Sequence, residues 1–231
     1  MKLKKPNFWK SLNFLSIFLL PLSLITFIVI LIKQIIVKKN KFEVPVICVG
    51  NIFLGGTGKT PLSIYIYNFF LKRKMRPAII RKYYSSHHDE INLTKSKVKN
   101  FFVESSRYTG IKKAEKNDCN VVILDDGLQD FSIEKKIKII CFNANELKGN
   151  GFLLPAGPLR SPLSNLKQAK IIVINGNKNL FFEKELRLKS PKAKIFYSNY
   201  IPTNLRKFAK KRILAFAGIG NPTGFFDMLK K

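Results

Sequence analysis

The sequence predicts an α/β fold, a mostly parallel sheet with flanking helices. Three observations predict it. Short apolar, β-rich runs alternate with helix-forming stretches from Glu43 onward. The first run leads into a glycine loop, GNIFLGGTGKTP (Gly50 to Pro61), that opens a helix. A later run, CNVVIL, passes straight into Asp125 and Asp126.

Ahead of these elements lies an uncharged stretch, Ser11 to Ile32, between Lys10 and Lys33. As one helix it would span about 33 Å, close to a hydrocarbon core of ~30 Å. Lys2, Lys4, Lys5 and Lys10 precede it; Lys33, Lys38, Lys39 and Lys41 follow. An N-terminal membrane helix is expected, either spanning or lying in the interface. A secretory leader fits poorly, because the apolar run is too long and no small-residue cleavage site follows. A buried core helix is the other alternative.

Glu43 to Gly50 reads as a buried strand and Pro61 to Lys72 as a helix, with proline tolerated in its first turn. Arg76–Ile80 and Lys99–Glu104 are expected strands, with a polar loop from Tyr83 to Glu90 between them. Thr109 to Lys116 is helical, and Cys119–Leu124, Ile137–Phe142 and Ala169–Ile174 are further strands. The lysine-rich tail from Phe181 looks less regular, until RILAFAGIGNPTGFFDMLKK offers a strand, a turn and the start of a helix. Three units are expected: residues 1–40, membrane-associated with basic flanks; 41–175, the core; and 176–231, the start of a smaller subdomain.

The glycine loop carries chemistry. Glycines let backbone N–H groups turn around phosphates at a helix N-terminus, a lysine reaches the outer phosphates, and the next hydroxyl meets Mg²⁺. Phe53, Leu54, Gly55, Gly56, Thr57, Gly58, Lys59 and Thr60 occupy those places, so the fold is P-loop NTPase-like. Phe53 stands where the usual first glycine belongs. Asp125 and Asp126 end a strand about 65 positions downstream, where acidic residues hold Mg²⁺ in such sites, so Thr60, Asp125 and Asp126 are the expected metal-holding residues. The nearest match to a guanine-reading NKxD is NKNL (Asn177 to Leu180), with leucine in the aspartate's place, which favours ATP over GTP.

The formal charge of +28 suits nucleic acid, anionic lipid or phosphorylated ligands. A basic nucleic-acid module is disfavoured, because no base-stacking motif or recognition helix accompanies the charge. Cys48, Cys119 and Cys141 lack the spacing of a disulfide framework or zinc site and read as buried hydrophobes. His87 and His88 have no third ligand at suitable spacing and read as exposed loop residues.

Together these segments resemble the tetraacyldisaccharide 4′-kinases of lipid A biosynthesis. The resemblance runs through LPLS (Leu20 to Ser23), PVICVGNIFLGGTGKTP, DDGLQ (Asp125 to Gln129), GNGFLLPAGPLR (Gly149 to Arg160) and AFAGIGNPTGFF (Ala215 to Phe226). That family also lacks a required glycine at the Phe53 position. The resemblance implies an ATP- and Mg²⁺-dependent kinase at the cytoplasmic face of a Gram-negative inner membrane. Its acceptor would be the 4′-hydroxyl of a tetraacylated glucosamine disaccharide 1-phosphate. The alternative is a membrane-anchored ATP-binding protein without kinase activity.

The resemblance also implies roles. Asp89 is the expected base, with Lys59 and Arg160 as the other catalytic residues. Arg81, Tyr83, Glu90, Arg107 and Gln129 are expected to face substrate. Departures from the family pattern cluster near Asp89: Lys82 replaces a glycine, His88 and Ile91 replace the flanking glycine and proline, and the interval from Arg81 is short. Tyr84 is an alternative match for the tyrosine. Ser161 stands where glutamate is common, and Asp130 where histidine is common. The family pattern continues past the AGIGNP element to a D-H-H segment, so the sequence is expected to be part of a longer chain.

Overall fold

The computed structural model describes residues 5–85, 88–201, 214–217, 225–226 and 229. His87 and most of the expected final strand, turn and helix lie outside the described residues. Seven parallel strands form one sheet: β1 (Val46–Gly50), β2 (Pro77–Lys82), β3 (Phe101–Glu104), β4 (Val121–Asp125), β5 (Ile137–Asn143), β6 (Ile171–Asn175) and β7 (Lys194–Ser198). Their order is β3-β2-β4-β1-β5-β6-β7. The register sets Val49 beside Asp125 and Arg81 beside Asp125, so β1, β4 and β2 end together at one edge. That carboxyl edge, where successive crossovers diverge, is where ligands bind in open parallel sheets.

The strands are apolar on both faces because helices cover both. On one face Cys48, Ile80, Leu124, Ile140 and Ile172 pack with Ile111 and Ala114 of α5 (Arg107–Lys116) and with Phe182 and Leu186 of α6 (Leu180–Lys189). On the other, Val49, Ile79, Ile123 and Cys141 pack with Ile64 and Tyr67 of α3 (Lys59–Lys72). Each buried valine, leucine, isoleucine or phenylalanine among them contributes about 1.5–3 kcal/mol by leaving water. The three cysteines are free and buried, and burial pushes the thiols of Cys48 and Cys141 up to about 11 and about 12. Neither supplies thiolate at neutral pH, in keeping with their role as small core residues.

Two elements depart from expectation in type. The loop expected to reach Glu90 gives way at His88 to a helix, α4 (His88–Lys95). The tail expected to be less regular contains α6 and β7, and β7 continues the same sheet beside β6. Asn179 caps α6, its side chain accepting from the Phe182 N–H.

The N-terminal segment is corrected. In place of one 22-residue helix the chain forms α1 (Phe14–Phe18) and α2 (Leu20–Ile36). The physical cause is Pro21: it has no N–H to continue the ladder, and it sits in the first turn of a new helix. Seventeen residues rise about 26 Å. Among the described residues no helix is long and apolar enough to cross a membrane.

Candidate nucleotide site

The loop between β1 and α3 has several of its carbonyl groups engaged, by its own Asn51 and by residues outside it. Asn51 donates through Nδ2 to the carbonyls of Phe53 (2.5 Å) and Gly55 (3.3 Å). Asn143, at the end of β5, donates to the Gly56 carbonyl at 3.2 Å. The Arg160 N–H donates to the Ile52 carbonyl at 2.7 Å, and the Leu54 N–H reaches the Pro158 carbonyl at 2.8 Å. The N–H groups of Gly55, Gly56, Thr57 and Gly58, by contrast, donate to no described backbone carbonyl. They remain as donors for a ligand at the N-terminus of α3, where the helix dipole adds positive potential.

Two further observations fit a phosphate ligand. Thr57 is buried, yet its Oγ1 has no hydrogen-bond partner among the described residues. Gly58, the residue before α3, has φ +82°, and a Cβ there would stand 2.7 Å from Asn175 Nδ2. Only glycine turns the chain into the helix at that point without strain.

Beneath the loop lies a charged network. Thr60 Oγ1 donates to Asp125 Oδ2 at 3.0 Å, and Ser63 Oγ donates to the other carboxylate oxygen at 3.4 Å. Arg81 donates to Asp125 Oδ2 at 2.6 Å and to Thr60 Oγ1 at 3.2 Å, while its other terminal nitrogen pairs with Glu90. Asp125 is fully buried, and that burial pushes its carboxyl up against the opposing pull of Arg81. Asp126 has φ +58° and turns the other way. Its carboxylate accepts from Arg160 at 3.1 Å and lies 3.8 Å from Lys59 Nζ. Burial penalises the Asp126 charge, but Lys59 and Arg160 more than offset it and hold the carboxyl below its usual range. Arg160 also donates to Asn51 Oδ1 (3.0 Å) and Gln129 Oε1 (2.9 Å), and Arg107 donates to the Asp126 carbonyl at 2.5 Å.

The geometry thus gathers the glycine loop, Lys59, Thr60, Arg81, Glu90, Arg107, Asp125, Asp126, Gln129 and Arg160. Two predicted residues stand apart. Tyr83 is half exposed and meets the His88 ring edge-on at 6.3 Å between centroids. Asp89 is exposed in the first turn of α4, with no side-chain hydrogen bond or ion pair to the described residues. Of the three residues expected to hold Mg²⁺, the Thr60 hydroxyl and the Asp125 carboxylate meet, a pair that suits Mg²⁺ with most of its water retained, while the Asp126 carboxylate is turned to Lys59 and Arg160. Among the described residues no three acidic, histidine or cysteine side chains cluster as a self-contained metal site. Asn51 and Asn143 were not anticipated. The signal available for Asn51 is its place directly after the glycine that ends β1.

Comparison with known proteins decides the family. Residues 15–231 match the model of the tetraacyldisaccharide-1-phosphate 4′-kinases. The chain belongs to that family. Tetraacyldisaccharide 4′-kinase of Pelagibacter ubique is 40% identical over all of this chain and 74% of its own length. The Actinobacillus succinogenes kinase of the same name is 31% identical over 97% of this chain and 75% of its own. LpxK from Aquifex aeolicus, solved in an "apo" form in complex with ATP, superposes with a TM-score of 0.60 at 23% identity. That superposition covers 89% of this chain and 86% of that one. Within this family of kinases, the motif LPAGPLR now has a structural role: its backbone closes the outer side of the phosphate loop, and its last residue, Arg160, enters the charged network.

Proposed function

We propose that the chain transfers the γ-phosphoryl group of ATP to the 4′-hydroxyl of a tetraacylated glucosamine disaccharide 1-phosphate. The observation that carries this reading is the phosphate loop with its N–H donors unspent, Lys59 and Thr60 at its end and Asp125 and Asp126 against them, in a chain of this family. The residues from Phe53 to Thr60 bind the nucleotide phosphates, with Lys59 neutralising their charge. Thr60 and Asp125 would hold Mg²⁺, which when bound would offset charge on the phosphoryl oxygens. Arg81 orients Asp125. Arg160 is steered by Asn51, Gln129 and Asp126 and stabilises charge during transfer. Arg107 fixes the backbone of Asp126. Asp89 receives the proton of the attacking hydroxyl, from the helical turn that Glu90 anchors to Arg81. Tyr83 and Glu90 line the acceptor side. The test is phosphate transfer from ATP to the disaccharide lipid in detergent micelles with Mg²⁺. We expect turnover, reduced at least about 100-fold in Lys59→Ala; equal transfer by parent and variant would remove this loop from the mechanism.

A substrate with acyl tails calls for an enzyme seated on lipid. In α1 and α2 the buried residues are Ser16 and Ser23, while Phe14, Phe18, Ile35 and Ile36 are 84, 70, 83 and 74% exposed. This inverted polarity, flanked by exposed lysines, fits a helix pair lying in the interface of an anionic bilayer at its cytoplasmic face. Phe14→Ser, Phe18→Ser and Ile35→Ser combined are expected to weaken binding to vesicles containing anionic phospholipid by at least about tenfold. Unchanged co-flotation would rule out this surface.

A further inference from the structure

One charged residue reaches the phosphate loop from far outside the motif. Lys5 Nζ pairs with Glu146 Oε1 at 2.5 Å and lies 4.9 Å from the centre of the Phe53 ring. Both charged groups press on Gly55: a Cβ there would overlap the end of the Lys5 side chain and approach Glu146 Oε2 to 3.2 Å. Gly55 has φ +148° and belongs to the run of loop residues whose N–H groups are unspent.

Glu146 is an unexpected group in this place. It follows β5 in the turn begun by Asn143, whose side chain holds the Gly56 carbonyl. Its Oε2 is buried without a hydrogen-bond partner among the described residues. A carboxylate at the edge of a polyphosphate site repels the ligand unless a cation stands beside it. Lys5 is that cation. It is not needed as a latch, because the N-terminal arm is already fixed. Trp9 Nε1 donates to the Pro155 carbonyl at 2.9 Å, the Asn150 N–H donates to the Trp9 carbonyl at 2.8 Å, and Ser23 Oγ donates to the Leu153 carbonyl at 2.8 Å. The Lys5 side chain keeps 32% exposure on a flexible four-carbon stem.

We propose that Lys5 is a second phosphate-binding cation of the nucleotide site. Glu146 holds its ammonium beside Gly55, and bound nucleotide draws it onto a phosphate oxygen. The proposal rests on the nucleotide reading above. The lysine rides on the segment that carries the exposed apolar helices, so the lipid-facing part of the chain supplies a group to the phosphate loop.

The test is equilibrium binding of ATP, by displacement of a fluorescent nucleotide from the full chain in detergent micelles, for four proteins. Lys5→Ala should weaken ATP binding about tenfold, the size of one charge-assisted hydrogen bond. Lys5→Arg should stay within about threefold of parent, since it keeps the charge. Lys5→Ala combined with Glu146→Gln should remain weak. Recovery to parental affinity in that double variant would mean that Lys5 only neutralises Glu146, and the proposal would fall. It would also fall if Lys5→Ala bound ATP within about twofold of parent, or if that variant's melting temperature dropped by several degrees, the mark of a structural latch. If the parent itself bound no ATP, the nucleotide reading would fall and this inference with it.

Discussion

Asp125→Ala should lower the melting temperature and abolish phosphate transfer together. The carboxylate is fully buried and accepts from Thr60, Ser63 and Arg81. Arg81 is itself only 4% exposed. Removing the aspartate leaves its guanidinium inside the protein without its buried carboxylate partner, and Glu90, the other carboxylate paired with it among the described residues, is about half in water. Breaking a buried pair in this way costs about 3–5 kcal/mol. For a chain of this size that corresponds to a drop of roughly 10 °C. Asp125→Asn, which keeps the shape and one of the two acceptor oxygens, should lose less stability but nearly as much activity. Thermal unfolding of the two variants separates the contributions. An Asp125→Ala protein that melts with the parent would show that Arg81 finds a replacement partner, and the account of the buried network would be wrong.

Asp89→Ala should reduce kcat by about 10²- to 10⁴-fold, the range for a general base. The KM for ATP should change by less than about twofold, because Asp89 touches neither the loop nor its supports. The neighbouring Glu90 provides the contrast. Glu90→Gln weakens the pairing that anchors α4 to Arg81, so its effect should appear in acceptor KM as well as in kcat. A kcat for Asp89→Ala near that of parent would assign the proton to another group, and Glu90, one residue along and in contact with the network, is the next to examine.

The sheet was legible because its strands are short apolar runs covered on both faces, and such runs announce themselves whatever surrounds them. The extra helices were not. α4 begins at His88 with Asp89 and Glu90 in its first turn, residues that look like a polar loop until the turn is anchored at Arg81. α6 and β7 lie in a lysine-rich stretch, and their apolar residues, Phe182, Leu186 and Ile195, acquire meaning only on packing against the β5–β6 face. In the N-terminal segment the apolar length favoured one helix. Pro21, which breaks it, was visible; the inward turn was not, because it depends on Ser16 and Ser23 finding partners in the 149–156 loop.

By itself the sequence determined the parallel α/β core, the phosphate loop and the pair of aspartates that faces it. Those features are local: a strand, a glycine turn and a helix start specify the loop, and an apolar run ending in carboxylates specifies its companion. Only the tertiary structure decided how the charges are shared. Asp125 and Asp126 are adjacent in sequence, yet the left-handed turn at Asp126 sends one carboxylate down to Arg81 and Thr60 and the other across to Lys59 and Arg160. Lys5 and Glu146, 141 residues apart, meet at Gly55 by the same kind of long-range closure. Buried charge must be matched by whatever the fold brings within reach, and separation along the chain carries no record of that distance.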